Sequence, residues 1–201
     1  MELDRFDGWI AAFGTAAGHR FVTGVWARSP LGVFADVMWE RPDGRRILLA
    51  PNASVADFVG ATYRYDEVRT AGVSFARRGQ EWSVDAGPVR LSLTPGPRDA
   101  VGRLLAAVPR SVRRTRWFAI AADIPARYVL PGVRTRGRGL GGRRMYYCAQ
   151  DHRPLAAGRA WLDGVDLGGP RPLTPPVTFG FSSAPAKPAW VRVVTLVERR
   201  A

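Results

Sequence analysis

The chain has 201 residues and carries 30 lysines and arginines against 17 aspartates and glutamates, a formal net charge of +13. This length is enough to bury a sizeable core, and we expect one compact domain. The single cysteine excludes an internal disulfide and any multi-cysteine metal site. No apolar run of about 18 residues occurs and the N-terminus is acidic, so we expect no transmembrane segment, no signal peptide and a cytoplasmic protein.

The first predicted element is an amphipathic helix over residues 3–13, because apolar residues from Leu3 to Phe13 recur at helical spacing. A strand is predicted at 20–28, where aromatic and β-branched residues are frequent. Residues 33–50 then form a β-hairpin around a Pro-Asp-Gly turn, and the rest of the fold is organised around it.

The hairpin can be paired in two registers. A two-residue Asp-Gly loop places Arg41 opposite Arg46, which is unfavourable because the charges are alike. A three-residue loop, with the proline at its first corner and the glycine in the left-handed region, places Glu40 opposite Arg46 and Trp39 opposite Ile47. Opposite charges and aromatic–aliphatic pairs each stabilise a sheet by roughly 0.2 to 1 kcal/mol, so we predict the second register.

That register divides the first hairpin strand into two faces. One face is apolar and is predicted to pack in the core: Val33, Ala35, Val37 and Trp39. The other face is mixed: Phe34, Asp36, Met38 and Glu40. If this mixed face lines a cavity, these four residues are the candidate ligand pocket, and its carboxyl groups titrate at raised pKa values. If it faces water, they are ordinary polar positions of a strand.

A short helix is predicted after Asn52, followed by an antiparallel meander over 66–93. Two further helices are predicted at 101–108 and 111–124, with prolines at their ends or in a position to kink them. Residues 132–144 are rich in glycine and arginine and show no apolar period, which predicts a mobile loop. The remaining predicted strands are 145–149, 155–162, 165–167 after a second Asp-Gly turn, 177–181 and 190–198.

These elements predict an α+β fold: a mainly antiparallel, curved sheet, barrel-like if it closes, with three or four helices packed on it. We treat residues 1–201 as a single domain with a basic helical and Gly/Arg-loop insertion at about 97–144. The sequence leaves the oligomeric state open.

The positive charge is concentrated in one segment. Between Arg103 and Arg144 there are eleven arginines and one acidic residue, Asp123. A basic helix followed by an Arg/Gly loop is typical of segments that bind phosphates or anionic membranes. The candidate polyanion-binding residues are Arg110, Arg113, Arg114, Trp117, Arg134, Arg136, Arg138, Arg143 and Arg144. The alternative is a solvated surface enriched in arginine by codon usage.

Other catalytic patterns are weak. Gly137, Gly139 and Gly142 form G-x-G-x-x-G, but a predicted strand follows where a dinucleotide fold requires a helix. Cys148 and His152 are close enough in sequence to be a nucleophile and base, but nothing in the sequence supplies the geometry, and the pattern favours a buried strand cysteine followed by Asp151 and His152 in a turn. With two distant histidines and no carboxylate cluster, we expect no metal and no cofactor.

The sequence therefore leaves three hypotheses for function. The leading one is a pocket in the curved sheet that binds a small, partly apolar and possibly anionic ligand. The alternative is association with nucleic acid or an anionic membrane through the arginine-rich segment 103–144. The third is an enzyme, with a site formed by Cys148 and His152 or by Asp36 and Glu40.

Overall fold

The computed structural model describes residues 2–177 and 179–199. The strands of the described residues are β1 (Leu3–Gly14), β2 (Arg20–Arg28), β3 (Phe34–Glu40), β4 (Arg46–Ala50), β5 (Glu67–Thr70), β6 (Val73–Arg78), β7 (Glu81–Ala86), β8 (Val89–Pro95), β9 (Arg136–Arg138), β10 (Arg144–Leu162), β11 (Val165–Gly168) and β12 (Ala189–Glu198). The helices are α1 (Ala53–Gly60), α2 (Ala100–Ala107), α3 (Arg110–Arg113) and α4 (Arg116–Val129). The α+β class predicted from the sequence is confirmed.

The strands form one curved, mainly antiparallel sheet in the order β5-β4-β3-β2-β1-β12-β10-β8-β7-β6, an open half-barrel. The long strand β10 belongs to both halves of it. Its residues 145–154 pair with β12, and its residues 155–162 pair with β8 on the other side. The short strands β9 and β11 pair with the two ends of β10. Because β10 pairs with strands of both halves, it fixes the position of one half of the sheet relative to the other.

The main hydrophobic core lies between the two halves of the sheet. Five of its fully buried residues come from the β1–β4 half: Phe13, Phe21, Val37, Ile47 and Leu49. Four more buried residues of this core come from the β7–β8 half: Trp82, Val84, Leu91 and Leu93. Burying a side chain of this size contributes roughly 1.5 to 3 kcal/mol, so this core is the principal interaction that holds the two halves of the open half-barrel together.

The opposite face of the β1–β4 half is covered as well. Helix α1 packs Val55 and Val59 against Phe6, Leu48 and Met145. Helix α4 and the segment formed by residues 171–177 and 179–185 cover the rest of this face, towards β10 and β12. The strands of this half are therefore buried on both faces. The cavities lie between this half of the sheet and the elements that cover it.

The predicted first helix is wrong, because residues 3–14 form strand β1 between β2 and β12. Neighbouring residues of β1 pack on opposite sides of the sheet: Phe13 lies in the main core and Ala12 against the segment 171–185. A strand buried on both faces has apolar residues at odd and even positions, so a helical subset of them always exists.

The predicted hairpin register is confirmed. Glu40 is opposite Arg46 and Trp39 is opposite Ile47, across a three-residue loop in which Gly44 has φ +84°. The apolar face lies in the main core, apart from Val33, which is 66% exposed. The second Asp-Gly turn is also confirmed, since Leu162 pairs with Val165.

The predicted meander over 66–93 is only partly correct. Strands β6, β7 and β8 are antiparallel neighbours. Strand β5 pairs in parallel with β4, at the far end of the strand order from β6. The predicted strand is interrupted at Ala71 and Gly72, which separate β5 from β6. The amide of Ala71 donates to the carbonyl of Ala50. Residue pattern does not distinguish one long strand from two short ones at opposite edges.

Four further predictions for the C-terminal half differ from the structure. The separate strands predicted at 145–149 and 155–162 are one strand, β10, with irregular pairing near Ala149 and Leu155. Pro154 lacks an N–H and lies where β10 leaves β12 and begins to pair with β8. The loop predicted at 132–144 includes strand β9. The helix predicted at 111–124 is divided between α3 and α4, and α4 continues through Pro125 and ends at Val129, before Pro131. Residues 177 and 179–181 are not a strand, and Thr178 lies outside the described residues.

Among the described residues, no helix is both long and apolar enough to cross a membrane.

Candidate functional site

An apolar cavity of about 520 Å³ lies between the sheet and its helical cover. Strands β1, β2, β3, β10 and β12 form its floor. Helices α2 and α4, together with residues 177 and 179–185, form its walls. Floor residues include Ile10, Ala12, Val22, Met38 and Val193. Wall residues include Leu105, Val108, Phe118, Ala122 and Val129. The volume is within the range of about 300 to 1,000 Å³ that small-molecule sites occupy.

The helical wall is positioned by local sequence. The side chain of Asp99 accepts from the amide of Gly102 and begins α2, and the side chain of Thr115 accepts from the amide of Phe118 and begins α4. Gly102 is required where α2 crosses β10, because a Cβ there would be 2.1 Å from the carbonyl oxygen of His152. One face of each helix, with Leu105 on α2 and with Phe118 and Ala122 on α4, is thereby directed towards the cavity.

A second, smaller cavity of about 50 Å³ adjoins the first and contains a buried carboxyl group. Asp36 is 2% exposed, and its Oδ1 accepts from Trp26 Nε1 at 3.0 Å. Burial raises the pKa of Asp36 to about 7, and the hydrogen bond from Trp26 partly opposes that shift. Gly24 makes room for the pair, because a Cβ there would be 2.5 Å from Trp26 Nε1 and 2.7 Å from Asp36 Oδ1.

Two tyrosines stand between the cavities. The hydroxyl groups of Tyr63 and Tyr147 are 2.5 Å apart, and both residues line both cavities. Burial raises the pKa of Tyr63 to about 12 and that of Tyr147 well above its ordinary value, so both are neutral. The hydroxyl of Thr195, which lines the smaller cavity, is buried without a hydrogen-bond partner among the described residues. The inner end can thus exchange hydrogen bonds with a ligand's polar group.

The four candidate pocket residues have different positions. Phe34 and Asp36 line the smaller cavity, and Met38 lines both. Glu40 lies outside the lining of both. Its carboxylate forms a buried ion pair with Arg20 at 2.9 Å, and Arg20 also donates to the carbonyl of Pro175 at 3.0 Å. Glu40 therefore helps to hold the segment that covers the cavity.

The nine candidate polyanion-binding residues do not form one surface. Arg110, Arg113 and Arg114 line a separate cleft of about 510 Å³. Trp117 is 65% exposed, with the guanidinium of Arg116 4.8 Å from the centre of its ring.

The other five are on the helix-covered side of the sheet or beside it. Arg134 lines the apolar cavity, and Arg136 is 3.6 Å from the buried carboxylate of Asp123. Arg138 donates to the carbonyl of Gly142. Arg143 lies over the ring of Phe58, and Arg144 is 3.9 Å from Glu198.

The cleft of about 510 Å³ is called the arginine cleft below, and sequence reasoning missed its other lining residues. Trp9, Trp82 and Trp190 come from three strands, and Arg77, Arg98, Arg153 and Arg192 from four more positions of the chain. No linear spacing connects them. The irregular pairing near Ala149 is equally invisible in the sequence; it allows Ala149 and His152 to line the apolar cavity while Gln150 and Asp151 line the cleft.

Cys148 and His152 do not interact as a nucleophile and base. The buried thiol of Cys148 donates to the carbonyl of Thr115 at 3.2 Å, and burial raises its pKa to about 12. His152 Nδ1 lies 2.9 Å from Asp99 Oδ2. A thiol of this pKa stays protonated and is a poor nucleophile. The described residues contain no group of three or more His, Cys, Asp or Glu side chains placed to hold a metal ion.

The fold and the site together define an α+β protein whose curved antiparallel sheet carries an apolar cavity under helices. No protein-family model matches the sequence, and no curated protein matches it. Among solved structures, the chain is similar to a protein from Nitrosomonas europaea, provisionally described as an AttH, at 13% identity and a TM-score of 0.36. The match covers 100% of this chain and 52% of that one, so the chain spans about half its length. This similarity is too low to carry over a function.

Proposed function

We propose that the protein binds an amphipathic small molecule in the cavity beneath α2 and α4. The observation that carries the proposal is an apolar space of about 520 Å³ between the sheet and the helices. Empty apolar spaces of this size are costly in a folded protein, since their lining loses both contacts and burial. A bound apolar molecule restores them.

The polar groups of the site suggest how the ligand is oriented. Among the described residues, Arg134 is the one arginine of the lining and is exposed, so it is placed to pair with an anionic head group at the rim. The inner end has the neutral Tyr63–Tyr147 pair and the carboxyl group of Asp36. A molecule with an apolar body and an acidic head, such as a fatty acid, matches the rim; a hydroxyl or carbonyl group at its far end matches the tyrosines.

Filling the cavity is expected to abolish this binding. The substitution Ala122→Trp projects an indole from α4 into the space, whereas Ala106→Trp adds the same ring to an exposed position of α2 outside the lining. In a titration with a fluorescent fatty acid, we expect Ala122→Trp to weaken binding at least about tenfold, or about 1.4 kcal/mol. Ala106→Trp should bind as the unmodified protein does. No saturable binding to the unmodified protein, or equal binding by both variants, would contradict the proposal.

A second candidate function is association with an anionic membrane, and one observation favours it. The outer surface of α4 exposes large apolar side chains that do not line the cavity, namely Trp117 at 65%, Ile124 at 63% and Tyr128 at 84%. Arg116 and Arg127 lie among them on α4. An apolar surface with arginines around it is suited to the interface of an anionic bilayer, where a lipid-like ligand would be collected.

Removal of two of these exposed rings tests the membrane function. The double substitution Trp117→Ala/Tyr128→Ala is expected to lower sedimentation with phosphatidylglycerol vesicles about tenfold or more, because each ring contributes roughly 1.5 to 3 kcal/mol when buried. Val33→Ala/Val165→Ala removes two exposed apolar side chains elsewhere on the surface and serves as the control. A loss of equal size in the control would show that non-specific hydrophobic adsorption, and not this surface, causes the sedimentation.

A further inference from the structure

The arginine cleft is a second site on the other side of the sheet from the apolar cavity. Trp9 lines the cleft and the next residue, Ile10, lines the cavity, because successive residues of a strand point to opposite faces. The cleft has a volume of about 510 Å³ and seven arginines: Arg77, Arg98, Arg110, Arg113, Arg114, Arg153 and Arg192. One carboxylate, Asp151, is present among its lining residues.

A trio of tryptophans forms the floor of the cleft and fixes two of the guanidinium groups. The ring centres of Trp9 and Trp190 are each 4.9 Å from that of Trp82. Arg192 lies 4.3 Å from the ring centre of Trp9, and Arg77 lies 5.2 Å from that of Trp82. Guanidinium groups held on aromatic faces are positioned in advance, so less entropy is lost when they bind an anion.

The carboxylates at the cleft neutralise only part of this charge. Asp151 pairs with Arg98 at 2.7 Å and with Arg153 at 3.0 Å. Asp7, behind the lining, is shared by Arg114 and Arg192. The remaining arginines have no carboxylate partner among the described residues.

Two buried polar atoms at the wall of the cleft are also unsatisfied. Arg113 Nε and Gln150 Oε1 have no hydrogen-bond partner among the described residues. Gln150 is only 8% exposed, so solvent has little access to its side chain. Gln150 Nε2 donates to the carbonyls of Arg113 and Cys148, so the amide is held in place with its oxygen free. A buried polar atom without a partner is destabilising, and a ligand with acceptors and a hydroxyl group would satisfy both atoms.

We infer that the arginine cleft binds a small molecule carrying two or more phosphate groups. Arginine pairs with phosphate oxygens through two parallel hydrogen bonds, and several arginines around one concave space match a cluster of charges rather than a single carboxylate. The arginines at 134–144 that a long nucleic-acid strand would also be expected to use lie outside the cleft. The ligand chemistry is therefore that of a nucleoside triphosphate or a short polyphosphate.

The test is isothermal titration calorimetry of the full chain with inorganic tripolyphosphate and, separately, with ATP at low ionic strength. Arg77→Ala/Arg110→Ala removes two exposed arginines of the cleft that have no carboxylate partner among the described residues. Arg138→Ala/Arg144→Ala removes the same charge at two exposed positions outside both the cleft and the apolar cavity. We expect the first variant to lose at least about tenfold in affinity, since it removes charge-assisted hydrogen bonds to the phosphates, and the second to lose less than about threefold.

Tighter binding of ATP than of tripolyphosphate would assign the site to nucleotides, and equal binding would assign it to the phosphates alone. Equal losses in the two variants would mean that general charge attraction, and not this cleft, holds the anion. The inference is also overturned if neither compound shows saturable binding, or if citrate binds as tightly as tripolyphosphate. None of these results depends on whether the apolar cavity binds a ligand.

Discussion

The substitution Glu40→Ala is expected to lower the free energy of unfolding by about 3 to 5 kcal/mol. The side chains of Glu40 and Arg20 are each 7% exposed and form an ion pair at 2.9 Å. Removing the carboxylate leaves the guanidinium buried, with the carbonyl of Pro175 as its recorded acceptor and with Nε unsatisfied. Most of the loss is the cost of an uncompensated buried charge.

Urea denaturation provides the measurement, because a change in midpoint at a constant slope reports a change in stability. Asp85→Ala is the control: it removes an ion pair with Arg90 whose side chains are 50% and 69% exposed, and it should change the stability by less than about 1 kcal/mol. Since Arg20 also anchors the segment covering the apolar cavity, Glu40→Ala should weaken ligand binding too. Equal effects of the two substitutions would show that the Arg20–Glu40 pair is not buried as described.

The second large effect is a dependence of stability on pH that originates at Asp36. The pKa of Asp36 is raised from 3.8 to about 7, chiefly by burial. Below about pH 4 the group is protonated in both the folded and the unfolded state. Between about pH 4 and 7 the unfolded chain releases the proton and the folded protein retains it, so stability falls as the pH rises. Above about pH 7 the carboxyl group is ionised in both states, and Asp36 lowers the free energy of unfolding by a constant amount of about 4 kcal/mol.

Asp36→Asn is expected to remove this fall, because its amide oxygen still accepts from Trp26 Nε1 but does not ionise. The unfolding free energies of both proteins should be measured in urea across pH 4 to 8. The variant should become the more stable of the two towards pH 8. Asp66→Asn, at an exposed carboxylate whose pKa is lowered chiefly by hydrogen bonds from Arg46, should retain the fall. If Asp36→Asn and the unmodified protein show parallel profiles, Asp36 is not the origin.

Local signals were sufficient for the elements that one turn or one charge pair defines. The Pro-Asp-Gly turn and the pairing of Glu40 with Arg46 predicted the register of β3 and β4, which is confirmed. The strand β2, the second Asp-Gly hairpin and the helix α2 are likewise where the sequence predicts them. In each case the decisive interactions join residues that are neighbours in sequence or across one turn.

The same signals failed where burial on both faces or a distant partner decides the structure. Strand β1 carries apolar residues on both sides, so helical spacing and strand spacing are both satisfied in it. Strand β5 forms its parallel pair with β4 across the helix α1, and nothing in its four residues specifies that partner. The arginine cleft takes its tryptophans from β1, β7 and β12, which are far apart in the chain.

The sequence by itself determined the fold class, the central hairpin with its register and the concentration of charge between Arg103 and Arg144. Those properties depend on turn chemistry, periodicity and composition, which are local. Only the tertiary structure decided that Asp36 faces a cavity while Glu40 pairs with Arg20, and that the arginines divide between two sides of the sheet. Those outcomes depend on which strands become neighbours and which face each helix covers, and such long-range packing is not encoded in any short segment.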